Sequence, residues 1–156
     1  MNDHFRKCVR NRQGVTLPEL LVAVFILAIA FVGTLLTYVK CIELNELSRN
    51  ATIALAAAKN KMIEIQNIPS NQFDQIIGNY NGVSFTTPNF DGRGVTYVSS
   101  TNTDLLKVTV SLCWRQKNGR MLGEDQNLSG TINAGEDLNG NGILDSPIEL
   151  VTSIYR

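Results

Sequence analysis

From Leu20 to Val39 the chain runs for twenty residues without a charged side chain, between Glu19 and Lys40. A stretch of that length and character needs lipid or other apolar helices around it, because as a helix it is apolar on every side and about long enough to cross a bilayer. Ahead of it lies a short basic segment: Met1–Gly14 carries Arg6, Lys7, Arg10 and Arg12 against Asp3. That bias keeps the N-terminus on the cytoplasmic side and sends everything after Val39 across the membrane. Glu19 sits at the mouth of the apolar run, where a carboxylate is costly to bury and calls for a specific partner. A secretory signal peptide is the competing reading, but its apolar core is usually shorter and ends in a small-x-small cleavage site. Here the run continues into helix-forming sequence.

Beyond the run, Leu44, Leu47, Ala51, Ala54, Ala58, Met62 and Ile65 recur at spacings of three and four, an apolar stripe on a helix. The pattern predicts one helix from about Thr16 to Asn67, on the order of 75 Å long at 1.5 Å per residue. Pro69 ends it, and Pro18 is tolerated in the first turn, where its missing N–H has no intrahelical acceptor. Ser70–Gly82 reads as a loop rich in Asn, Gln and Gly. Strands follow at Val83–Thr87, Val95–Ser99 and Leu106–Trp114. In the last of these Leu106, Val108, Val110, Leu112 and Trp114 face one way, and Lys107, Thr109, Ser111, Cys113 and Arg115 the other. Asn118-Gly119 gives a tight turn, Gly119–Gly123 the return strand, and Ile148–Tyr155 the last strand. The expected fold class is α+β, a long helix whose amphipathic half packs on one small antiparallel sheet. Trp114 reads as a core aromatic.

The division expected along the chain is a leader over 1–14, a membrane or filament-core helix over 15–40, the amphipathic half over 41–68 and a sheet head over 69–156. Of three cysteines, Cys8 lies in the leader. Cys41 and Cys113 read as unpaired or intermolecular thiols rather than an internal disulfide, which would need them close in space. His4 is alone. No Ser/His, Cys/His or zinc-ligand constellation lies outside the leader, so the chain is expected not to be an enzyme. Its formal net charge of zero gives no basic surface for nucleic acid.

The stretch Arg12-Gln13-Gly14-Val15-Thr16-Leu17-Pro18-Glu19-Leu20 resembles the N-terminus of type IV prepilins and type II secretion pseudopilins. The resemblance implies cleavage between Gly14 and Val15 by a prepilin peptidase and N-methylation of Val15. It also implies assembly in which Glu19, the fifth residue counted from Val15, pairs with the N-terminal amine of a neighbouring subunit. The partners implied are other pilin or pseudopilin subunits, the peptidase and an inner-membrane assembly platform. The implied location is the bacterial inner membrane, single-pass, and then a pilus or a periplasmic pseudopilus. "TIALAAAKNKMIEIQ" over Thr52–Gln66 looks like the helix end of PilV-type minor pilins and of the I-type pseudopilin. Val15 stands where the family more often has phenylalanine. The span lacks the proline many major pilins carry in mid-helix, although Gly33 offers a local weak point. A minor pilin is the first reading, a secretion pseudopilin the alternative, and a membrane-anchored calcium-binding module that never polymerises the third.

Residues 124–147 hold a second pattern. Glu124–Gly135 and Glu136–Pro147 align without gaps at a period of twelve. Each repeat resembles the calcium loop of EF-hands, dockerins and thrombospondin type 3 repeats, and calcium takes six to eight oxygens from alternating positions of a flexible loop. In the first loop the candidates are Asp125, Asn127, Ser129, the Thr131 carbonyl, Asn133 and Glu136, with Gly130 at the sharp turn. In the second they are Asp137, Asn139, Asn141, the Ile143 carbonyl and Asp145. Position twelve of that loop is Ile148, and Glu149 comes one residue late, so Glu124 or Glu136 could serve by reaching across. Amide-rich sets of this kind imply weak affinity, on the order of 10⁻⁴ to 10⁻³ M. A polar turn loop without metal is the plain alternative. With almost no apolar residues to pack, the loop is expected to take its order from one or two calcium ions.

Overall fold

The computed structural model describes residues 14–88 and 90–156, in two compact units that divide between Glu43 and Leu44. The leader, with His4 and Cys8, lies outside the described residues except for Gly14.

Helix α1 spans Leu17–Gln66. In the first unit its residues are exposed all round, Phe25 and Leu27 at 67% and 71%, and by length and composition the helix can cross a membrane. The hydroxyls within the run are satisfied locally. Thr34 Oγ1 donates to the Phe31 carbonyl at 2.7 Å and Thr37 Oγ1 to the Gly33 carbonyl at 2.9 Å. Such back-bonding lets a hydroxyl sit among apolar side chains without a water partner.

The second unit takes the rest of α1 and folds a sheet onto it. A short 3-10 turn at Ser70–Gln72 and helix α2, Gln75–Tyr80, replace the loop expected over Ser70–Gly82. Phe73 and Ile76 bury beneath them. A helix of six residues is too short to show a period, and Asn, Gln and Gly78 masked its apolar side.

The strands are β1 (Val83–Thr86), β2 (Gly92–Asn102), β3 (Leu105–Arg115), β4 (Met121–Leu122) and β5 (Glu149–Tyr155). All pairings are antiparallel, in the order β1-β2-β3, with β4 and β5 both bonded to the second edge of β3. β2 is longer than its apolar segment because polar Ser99 and Ser100 still pair with Lys107 and Leu106. The return strand is short, two residues against the predicted Gly119–Gly123. The turn is a three-residue loop: Gly119 N–H donates to the Gln116 carbonyl and Gln116 N–H to the Arg120 carbonyl, each at 2.9 Å. Gly119 takes φ +83°, which glycine adopts without strain.

Two apolar clusters join helix and sheet. Ala58, Met62 and Ile65 pack with Val98, Leu106, Val108 and Val110, while Leu47, Ala51 and Ala54 pack with Leu112, Trp114 and Leu122. Later helix residues meet earlier β3 residues, so β3 runs back toward the point where α1 enters the unit. The predicted stripe is buried from Ala54 to Ile65 and partly buried at Leu47 and Ala51, but Leu44 is 63% exposed. The helical spacing continues there, whereas no strand packs against that turn. Trp114 is 1% exposed and sits edge-on to Phe90. Cys41 is exposed and Cys113 buried, and both are free thiols.

The other face of β3 departs from expectation. Thr109, Ser111 and Cys113, on the face opposite the apolar one, are 4%, 2% and 2% exposed, although only one face was expected to be packed by the helix. The segment between β4 and β5 covers them.

Candidate functional site

Two regions carry the candidate residues, and the first is the covering segment. Ser111 Oγ donates to the Leu144 carbonyl, Leu144 N–H donates to Tyr97 Oη at 2.9 Å, and Ser146 Oγ donates to the Leu112 carbonyl. Arg93 Nε donates to the Leu128 carbonyl at 3.0 Å. Leu144 is fully buried, so the segment has an apolar anchor that the expectation of an unpacked loop omitted.

Within the segment the two repeats fold alike. In the first, Asp125 accepts the Ser129 N–H at 3.0 Å and the Gly130 N–H at 2.8 Å, and Asn127 Oδ1 accepts the Ser129 N–H at 2.8 Å. In the second, Asp137 accepts the Asn141 N–H at 3.1 Å and the Gly142 N–H at 2.9 Å, and Asn139 Oδ1 accepts the Asn141 N–H at 3.0 Å. Gly130 and Gly142 hold the same left-handed turn, φ +76° and +75°. A Cβ at Gly130 would also lie 2.4 Å from the Ser84 Cβ, so glycine is required there twice over.

One carboxylate closes each loop: the first is closed by its own twelfth residue and the second by a residue that reaches across from ahead of the first. Glu136 accepts the N–H groups of Gln126 and Asn133, the second and ninth positions of the first loop, at 3.0 and 2.9 Å. Glu124 accepts those of Leu138 and Asp145, the same positions of the second loop, at 3.2 and 3.0 Å. Glu149 lies apart, paired with Ser111 as the first residue of β5. Asn133 Nδ2 donates to Ser129 Oγ, the Thr131 carbonyl and Glu136 Oε2 at 2.9, 3.0 and 3.1 Å, so these three oxygens face one point. In the second loop the Asn139 and Asn141 amides donate to Asp145, and Asn141 Oδ1 accepts the Ile143 N–H. Among the described residues no three His, Cys, Asp or Glu side chains gather as a metal cluster. Any cation here would therefore rest largely on amide, hydroxyl and carbonyl oxygens.

Burial pushes the Glu136 carboxyl up, but the hydrogen bonds from Asn133, Gln126 and Asn127 outweigh it and hold the group below its ordinary range. Burial raises the Cys113 thiol and the Tyr97 phenol above theirs.

The second region is the start of α1. Leu20 N–H donates to the Thr16 carbonyl at 3.1 Å, which opens the helix, and the Thr16 N–H reaches Glu19 Oε2 at 3.5 Å. Thr16-Leu17-Pro18-Glu19 has the spacing of a capping box, in which the third helical residue turns back to the first free N–H. That local bond engages one oxygen of Glu19. Sequence reading missed it, although Thr-x-x-Glu was there to be seen. Glu19 is also the one charged residue between Leu17 and Val39. The family model for the prokaryotic N-terminal methylation motif matches residues 9–35. The chain's N-terminus is that of a type IV pilin-like protein. Comparison with curated proteins finds no match, and neither does comparison with solved structures. Type IV pilin-like chains are cleaved by prepilin peptidase and assemble with other pilin subunits, and the motif with its apolar helix fits an anchor in the bacterial inner membrane. The match covers the end of the basic leader, from Val9, and most of the apolar run, and leaves the paired loops outside it.

Proposed function

We propose that this protein is a minor pilin-like structural subunit of a type IV pilus, cut between Gly14 and Val15, methylated on Val15 and built into the filament through α1. The observation that carries the reading is Glu19, a lone carboxylate in the first turn of a helix whose surface is otherwise apolar and exposed as far as Val39. When such helices cover one another, a charge left alone is strongly unfavourable, whereas a pair formed with the Val15 amine of a neighbour is neutral. The pairing also fixes how far one subunit steps along the next. Intact mass and the N-terminal peptide from native membranes test the processing, with a methylated N-terminus at Val15 expected. An uncut Met1 would favour an anchored module that never polymerises. Glu19→Ala should leave cleavage in place and abolish incorporation, and normal incorporation would remove the pairing. A minor pseudopilin of type II secretion is the alternative, supported by the same helix-end likeness, and loss of secretion without loss of pili on deletion would select it.

We also infer that the paired loops bind calcium. Asp125, Asn127, Ser129, the Thr131 carbonyl, Asn133 and Glu136 supply one oxygen set. Asp137, Asn139, Asn141, the Ile143 carbonyl and Asp145 supply the other, with Glu124 as its closing carboxylate. These are hard oxygen ligands in the number calcium takes. Bound calcium would add order to a segment already pinned to the sheet by Leu144 and Ser146. Calcium titrated into the chelator-treated protein should raise its melting temperature, and Asp125→Asn should abolish the shift. A melting temperature indifferent to calcium up to about ten times the weakest expected dissociation constant, itself about 10⁻³ M, removes the reading.

A further inference from the structure

Because β3 runs back along α1, its hairpin with β4 comes down beside the start of the helix in the second unit. Lys117 N–H donates to Glu46 Oε1 at 2.9 Å, which ties the turn to the second helical residue after Leu44. A groove of about 430 Å³ opens there, lined by Arg49, Arg115 and Lys117 with Glu46 and Asp91. Arg120 stands on the same hairpin outside the groove lining, so the hairpin and the adjoining helix turn carry four exposed cations against two carboxylates. Arg115 pairs with Asp91 at 3.7 Å. Among the described residues Arg49, Lys117 and Arg120 have no ion-pair partner.

The chain itself limits where this patch can go. Four residues, and so five Cα steps, separate Val39, the end of the charge-free run, from Leu44. Even fully extended they span at most about 18 Å. With the run in a bilayer, the second unit is tethered within that reach of the headgroup layer, whatever its orientation. Tethering turns a weak contact into an intramolecular one at high effective concentration. A cationic groove so tethered meets lipid phosphate before any other anion.

We propose that the β3–β4 hairpin, through Lys117 and Arg120 and together with Arg49 of the adjoining turn of α1, binds the headgroups of anionic phospholipid in the bilayer that holds the chain's own apolar run. The contact holds the head on the membrane until the subunit leaves it. The inference rests on the membrane-anchored reading of α1.

Full-length protein with ¹⁵N-labelled Lys and Arg side chains, reconstituted in phosphatidylcholine vesicles with increasing phosphatidylglycerol, tests it by solid-state NMR. The expected result is ³¹P dephasing of the Lys117 and Arg120 side-chain signals that grows with phosphatidylglycerol and falls at high salt. In K117Q the half-saturating phosphatidylglycerol content rises roughly fivefold, the weight of one cation at an anionic surface. Protein that floats with the vesicles but shows equal dephasing with and without phosphatidylglycerol overturns the hairpin contact and leaves the anchor standing. Protein that fails to float overturns both. Displacement by inorganic phosphate beyond that by chloride of equal ionic strength would make free phosphate the ligand and overturn the lipid assignment. A contact that appears only when a second pilin subunit is added would overturn it in favour of a protein partner.

Discussion

Glu124 and Glu136 stand one repeat apart and clamp the same two backbone positions in different loops: each holds the second and ninth N–H groups, Glu136 of the first loop, which it ends, and Glu124 of the second. The first loop is closed by its own last residue, Glu136, and the second has no carboxylate in that place. Glu124, which precedes both loops, reaches across the first to close the second.

Removing either clamp should therefore loosen a different place. Glu136→Ala should speed hydrogen exchange at Gln126 and Asn133, and Glu124→Ala at Leu138 and Asp145, each costing about 2 kcal/mol for the charge-assisted bonds lost. The site-by-site exchange pattern checks it. Equal acceleration in both loops from either variant would contradict this division between the two clamps.

Acid should act on the same bonds. Glu136 sits below its ordinary range in the folded protein, so its contribution is complete above the unfolded carboxyl value, about 4.3, and is lost as pH falls through the folded value. Stability measured by urea unfolding should drop on acidification below about pH 4 more steeply in the native chain than in Glu136→Gln, which does not titrate. Parallel pH profiles would show that Glu136 is not the group responsible.

Gly94 lies opposite Phe85 in the β1–β2 pair, and a Cβ there would come within 2.1 Å of the Phe85 ring. Gly94→Val should destabilise the head by about 1–3 kcal/mol, because the ring must leave its place. Adding Phe85→Ala should recover part of that loss, which a double-mutant cycle on thermal unfolding would read as coupling.

Cys113 is buried against the loop, its Sγ 3.7 Å from the Asp145 carbonyl, and burial disfavours its thiolate. Maleimide should modify it about a hundredfold more slowly in the native protein than in urea, since the thiolate is the reactive form. Comparable rates would mean that the covering segment opens freely.

Much of this arrangement was legible in the sequence. The alternation from Leu106 to Trp114 marked the core face of β3, the spacing from Ala54 to Ile65 marked the helix that meets it, and the twelve-residue period marked two loops of one design. What escaped notice has a common physical origin. The alternation set Thr109 and Ser111 on the second face of β3 without telling what covers it, because a hydroxyl under a loop can be satisfied by a carbonyl as well as by water, as Ser111 is by Leu144. Leu44 read as core because helical spacing reports which face a residue is on, not whether anything reaches that face. For Glu124, the sequence supplied the carboxylate and left its partner open, since the loop it closes begins thirteen residues later at Asp137.

β3 can pair its second edge with β5 only after the intervening segment has folded back and returned the chain to Glu149. Until then Leu105–Ser111 presents a bare row of backbone donors and acceptors, with a strongly apolar face beside it. Such an edge is a template for strands of other molecules. Damage confined to the loops would therefore surface as aggregation of the sheet, at a distance from the substituted residue and before any change in the anchor.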